Sequence, residues 1–314
     1  MRKNLLFAIF FLALFAAHAQ DARAGAVVAS IKPLHSLVAA VMTGDDNAPI
    51  LLADGKNSLH SFSLKPSQMQ ALSHADVVFY MGDGFELFLN KILEEAPGIT
   101  RVPMQKANGI VLYPLRRGAG FQAHTHEEEG YHHDVEPLPA QDTGYDLHLW
   151  TSPANAKLMI AEIANKLSLL YPSKKNLYQA NAARLSTRLD MLDANLRVRM
   201  LRLSGKPFVV FHDAYQYFEK EYTLTNVGSI MLHPEYGLSA KRMRDIRGKI
   251  KNTGAKCVLT EAHIPETSCN ICTSIIPDTR CLITSCDAIA CLIPYCCDIC
   301  SCRNCCKEIG RAHV

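Results

Sequence analysis

Cysteine is almost missing from the first 266 residues, where Cys257 stands alone, and tryptophan occurs once in the whole chain, at Trp150. No disulfide can form within that stretch, so buried apolar surface has to hold it together. A surplus of one charge is lacking too: 33 Lys and Arg against 30 Asp and Glu leave a formal net charge of +3. Nucleic acid as a partner gains no support from that balance. No HExxH run is present, so the local signature of a zinc hydrolase is missing. Long apolar runs are confined to the start, where residues 5–17 are too few to span a bilayer comfortably. Two basic residues precede that run and small-x-small sites follow it. Residues 1–24 therefore read as a signal peptide, cut after Ala19 or Ala24, that directs the mature protein to export. No cysteine stands near those sites to carry a lipid anchor.

The other eleven cysteines crowd into residues 267–314. Pairs such as Cys269-x-x-Cys272 and Cys297-x-x-Cys300 could bind zinc, or the thiols could pair as disulfides after export. A third reading is that the stretch is not native. It lacks helical or strand period and has one glycine, Gly310, to turn many bends. Its closing "EIGRAHV" looks like a translated sequencing adapter. The expectation carried forward is a frameshift or assembly scar from about Thr267, which leaves the second lobe truncated at residues 205–266.

What is present is ample apolar residue, 48% of 314 positions, enough for one large core or two smaller ones. "AVVASI" is a β-rich run, and "KPLHSLVAAVMTG" has helical spacing with a stop at Gly44. A second apolar run covers 49–53, a helix opens at Pro66, "DVVFYMG" reads as a buried strand, and "GFELFLNKILEEAPG" as a helix ending before Pro97. Such alternation predicts an α/β fold with a parallel sheet covered on both faces. After "DLHLWTSP" a helix begins, with Ser152 as cap and Pro153 in its first turn. Leu185, Leu189, Leu192, Leu196, Met200 and Leu203 then recur at three and four residues. The spacing predicts one long helix over 173–204, a rigid strut between a first lobe at 25–172 and a second lobe. The second lobe repeats the grammar in "KPFVVFHDAYQYFEKEY" and "LSAKRMRDIRGKIKNTGAKCVLTE". Two Rossmann-like lobes with parallel sheets follow from this pattern, with a cleft between them.

Between them in sequence, 118–143 is polar and acidic and carries His124, His126, His132 and His133. It reads as a loop, either merely solvated or a weak metal-capturing arm. Three other histidines sit where regular structure gives way to loops: His60 before the Pro66 helix, His148 before the Pro153 helix, and His212 at the end of an apolar strand. Open parallel sheets bind ligands beyond such strand ends. Three neutral imidazoles with an open position suit Zn²⁺. Gaps of this size match no local zinc motif, so on spacing alone each histidine reads more readily as a structural residue with a satisfied hydrogen bond than as a ligand.

"LHSFSLKPSQMQALSHADVVFYMG", "DLHLWTSP" and "FHDAYQYFEKEYTL", in that order, resemble the metal-binding, lipoprotein-like family of ABC-transporter solute-binding proteins, in particular its periplasmic zinc-binding members. The resemblance covers about residues 26–265 and includes the acidic histidine-rich loop. It implies that His60, His148 and His212 are Zn²⁺ ligands in the cleft. It also implies that an ABC permease receives the ion, and that the protein is a non-enzymatic monomer. At Cys257 it implies a disulfide of the kind some relatives form. Leu59 stands where the family has proline, and no "Asp-Pro-Leu-Gly"-like segment supplies a fourth carboxylate; Asp278 follows a proline instead. Two other functions fit three imidazoles. A hydrolase would need a general base, with Glu261 or Asp213 nearest in sequence. A surface adhesin would need an anchor.

Overall fold

The computed structural model describes residues 25–54, 62–116, 144–231, 240–260 and 281–284. Expectations for the leader, His60, the 118–143 loop, Glu261, Asp278 and all of the tail except 281–284 lie outside them.

Strand β1 (Ala26–Ile31) is apolar except for Ser30 because both of its faces are covered. Val27, Ala29 and Ile31 enter one core, whereas Val28 points into a second with Leu72, Val78 and Leu89. Helix α1 (Lys32–Val41) follows without a linker, with Pro33 in its first turn. The turn after it uses Gly44 at φ +85°, a backbone conformation that costs glycine little. Then come β2 (Ile50–Ala53), α2 (Pro66–Ser73), β3 (Ala75–Tyr80), α3 (Leu87–Glu95) and β4 (Thr100–Pro103). The four strands form a parallel sheet in the order β2-β1-β3-β4.

A two-stranded antiparallel ribbon pairs β5 (Tyr113–Pro114) with β6 (Tyr145–Asp146). Helix α4 (Pro153–Leu170) starts where the sequence predicts. Its cap, Ser152, accepts a hydrogen bond from the Asn155 amide at 3.1 Å.

The long helix α5 (Lys175–Met200) has a 3₁₀ turn at each end, Pro172–Lys174 and Leu201–Leu203, so the helical run matches the predicted span. Its buried stripe changes allegiance along its length. Tyr178, Leu185 and Leu189 belong to the first lobe's core, whereas Leu196 packs with Phe218 and Tyr222 of the second. Asn181 donates to the carbonyls of Val41 and Thr43 at 2.7 and 2.8 Å, supplying donors that the end of α1 lacks.

The second lobe contains β7 (Pro207–His212), α6 (Gln216–Glu221), β8 (Thr225–Met231), α7 (Ala240–Thr253), β9 (Cys257–Thr260) and β10 (Cys281–Thr284). Its parallel sheet runs β10-β9-β7-β8, which counted from its own first strand is the same order as the first sheet. Strand β10 falls in the stretch read above as having no strand period. Its ladder nonetheless places Cys281 opposite Cys257.

Candidate metal centre

In this strand order the chain leaves the first strand in both directions, so a crevice opens beyond the carboxyl ends of β1 and β3, and likewise of β7 and β9. His212 is the last residue of β7 and therefore stands at the second crevice. His148 arrives from the other lobe. It follows β6 and opens a 3₁₀ turn, Leu149–Thr151, in which its carbonyl accepts from the Thr151 amide at 3.1 Å and the Thr151 hydroxyl at 2.8 Å. Leu147 and Leu149 are buried on either side, which anchors the turn as their apolarity predicts.

The two imidazoles meet with ring centroids 5.1 Å apart and planes at 75°. With Zn–N bonds of about 2.05 Å, two imidazoles on one tetrahedral ion would have ring centres roughly 5 Å apart. Edge-to-face packing alone also produces such a distance, so the surroundings have to discriminate. The Nδ1 of His148 lies 2.7 Å from Asp146 Oδ1, and that oxygen also accepts from the His148 backbone amide at 3.0 Å. A neutral ring that gives its Nδ1 proton to a carboxylate keeps a lone pair on Nε2, the arrangement metal-binding histidines use. Phe85 and Trp150 set their edges against the same ring, each with a centroid separation of 5.2 Å. Burial opposes ionisation of Asp146, but the hydrogen bonds from the His148 ring and amide and one from Gln216 outweigh it, holding the carboxyl below its ordinary range.

Beside this pair, Arg116 crosses from the first lobe to grip two carboxylates of the second. Its Nε donates to Asp213 Oδ2 at 3.0 Å, its Nη2 to Asp213 Oδ1, and its Nη1 to Glu219 Oε2 at 2.5 Å. Asp213, a candidate general base by sequence, is thus engaged by a guanidinium rather than aimed at the histidines. Burial pushes its carboxyl up to about 6, against the pull of Arg116.

Under the first crevice sits Glu86, wholly buried. Its carboxylate accepts from the Ser30 hydroxyl at 2.5 Å, the Met81 amide at 2.9 Å and the Gly82 amide at 3.2 Å, which ties the ends of β1 and β3 together.

Among the described residues no group of three His, Cys, Asp or Glu converges as metal donors. The structure brings together His148 and His212 and describes neither His60 nor the four loop histidines. Asp146, Arg116, Gln216 and Glu86 were not singled out by the sequence. Only Asp146 had a usable signal, a carboxylate two residues before a histidine at a strand-to-turn junction. No helix among the described residues is long and apolar enough to cross a membrane.

Residues 27–276 match the model of the family described as zinc-uptake complex component A, periplasmic (ZnuA). The high-affinity zinc uptake system protein ZnuA of Brucella abortus (strain 2308) is 36% identical over 277 residues, covering 82% of this chain and 83% of its own length. The protein of the same name from Yersinia pestis is 33% identical over 254 residues, covering 79% of each. A crystal structure of ZnuA has a TM-score of 0.67 at 22% identity, covers 92% of this chain and 100% of that one, and shares its fold.

Proposed function

The chain belongs to the periplasmic zinc-uptake component A (ZnuA) family, and from that premise we propose that it captures Zn²⁺ through His60, His148 and His212 and delivers it to an ABC permease. Members of this family are solute-binding proteins of transport, and Zn²⁺ here is cargo. The protein binds and releases without turning anything over, works as a monomer, and acts after its leader has been removed in the periplasm. The loop histidines His124, His126, His132 and His133 are secondary, weak sites.

One observation carries the ligand assignment: His148 and His212, 64 residues apart in sequence and from different lobes, meet at 5.1 Å with the Nδ1 of one already occupied by Asp146. The carboxylate on Nδ1 holds the ring in the tautomer that leaves the Nε2 lone pair for a metal. Hydrolysis has less support, because Asp213 is committed to Arg116.

The test is a zinc titration of the metal-stripped protein in competition with a chelator. One tightly held ion per chain is expected, with His148→Ala weakening it at least about a hundredfold, since one of three imidazoles is lost. Tight binding that survives in His148→Ala, or that disappears when 118–143 is deleted, places the site elsewhere.

A further inference from the structure

Asp146 is almost fully buried, at 2% exposure, and its side chain meets Nδ1 of His148. It is in turn held from the opposite lobe. The Tyr217 hydroxyl donates to the Asp146 carbonyl at 2.5 Å and accepts from the Tyr113 amide at 3.1 Å. The Gln216 side-chain amide donates to the Pro114 carbonyl at 3.0 Å and to Asp146 Oδ2 at 3.3 Å. Tyr113 and Asp146 are ladder partners in the β5–β6 ribbon. Two consecutive residues of α6 therefore clamp both strands of a ribbon that belongs to the first lobe. Those residues begin four positions after His212.

We propose that Asp146 is the positioning residue of the zinc site, locking His148 in the tautomer that presents Nε2, and that Gln216 and Tyr217 make this lock depend on the seating of the second lobe. The proposal rests on His148 being a ligand. A carboxylate is acceptor-only, so it tolerates an N–H at Nδ1 and disfavours a lone pair there. Asp146 Oδ1 serves both the His148 amide and Nδ1, so an asparagine that turns its NH₂ there donates to Nδ1 and moves the ring proton to Nε2, where zinc must bind, while one that keeps its oxygen there loses the charge that favours Nδ1–H. A merely structural Asp146, needed only for the turn it makes with the His148 amide, would survive that exchange. The second lobe enters because removing the Gln216 donor frees Oδ2 without touching either imidazole.

The experiment compares full-length wild type, Asp146→Asn and Gln216→Leu by chelator competition and by long-range ¹H–¹⁵N spectra of the metal-free proteins. The His148 signals are identified by their loss in His148→Gln. Wild type should show a proton on Nδ1 of His148. Asp146→Asn should bind zinc about 10–100-fold more weakly and shift the ring toward the Nε2–H form. Gln216→Leu should weaken zinc at least threefold, with the His148 Nδ1–H resonance broadened. Zinc affinity within twofold of wild type in Asp146→Asn, with the ring still protonated on Nδ1, overturns the proposal. If Asp146→Asn does not fold, Gln216→Leu carries the decision, and unchanged affinity with an unchanged spectrum overturns it. Failure of the ligand reading is separate, since it shows as full affinity in His148→Ala.

Discussion

Glu86 shows how one residue can bear on the site without reaching it. Three donors converge on its carboxylate, which favours the charged form, but complete burial outweighs them and pushes it up to about 7 from an ordinary 4.5. Between those two values the folded protein binds more protons at Glu86 than the unfolded chain does. Its contribution to stability is therefore complete below about 4.5 and is lost as the pH rises through about 7. The slope is at most about 1.4 kcal/mol per pH unit for one proton. Urea unfolding of the metal-free protein from pH 5 to 8 should show wild type losing about 3 kcal/mol relative to Glu86→Gln over that window. A constant difference between the two proteins would mean that Glu86 is ionised throughout.

At the scale of elements, α5 carries the argument that two lobes are coupled through one rod. Its buried stripe was readable because leucines repeat at three and four residues. What spacing could not reveal is that the stripe serves one core as far as Leu189 and another from Leu196. Leu196→Ala should cost about 2–5 kcal/mol by opening a cavity between α5, Phe218 and Tyr222. Leu201→Ala, on a side chain 73% exposed just beyond α5, should stay within about 0.5 kcal/mol. Equal effects in chemical denaturation would show that α5 does not hold the second lobe through Leu196. The strands were legible in the same way, since β1, β3 and β7 are apolar runs bounded by breaks. Strand β10 was not, because four residues of a cysteine-rich stretch have no period of their own and gain one only from the ladder with β9.

For the whole molecule, the seam between lobes is built from residues about a hundred positions apart, such as Arg116 with Asp213 and Glu219. No sequence window contains such a pair, and charges are too common for their partners to be guessed. Arg116→Met should destabilise the protein by about 3–5 kcal/mol in urea, because it leaves two buried carboxylates facing each other. Arg116→Lys should recover only part of this, since an ammonium cannot reproduce the forked grip. Stability within 1 kcal/mol for Arg116→Met would remove the triad from the seam. The site was legible to a corresponding degree. His148 and His212 stood out as polar residues at the ends of apolar runs, and the fold unites them. Gln216 and Tyr217 of the second lobe reach Asp146 across about seventy positions, a contact that no sequence window contains.

X-ray absorption at the zinc edge of the full-length protein, loaded with one equivalent, bears most directly on where the ion is held. Three histidine nitrogens at about 2.0–2.1 Å are expected, with the imidazole scattering reduced in His148→Ala. A shell dominated by sulfur at about 2.3 Å, unchanged in that variant, would assign the ion to cysteine thiolates and contradict the account.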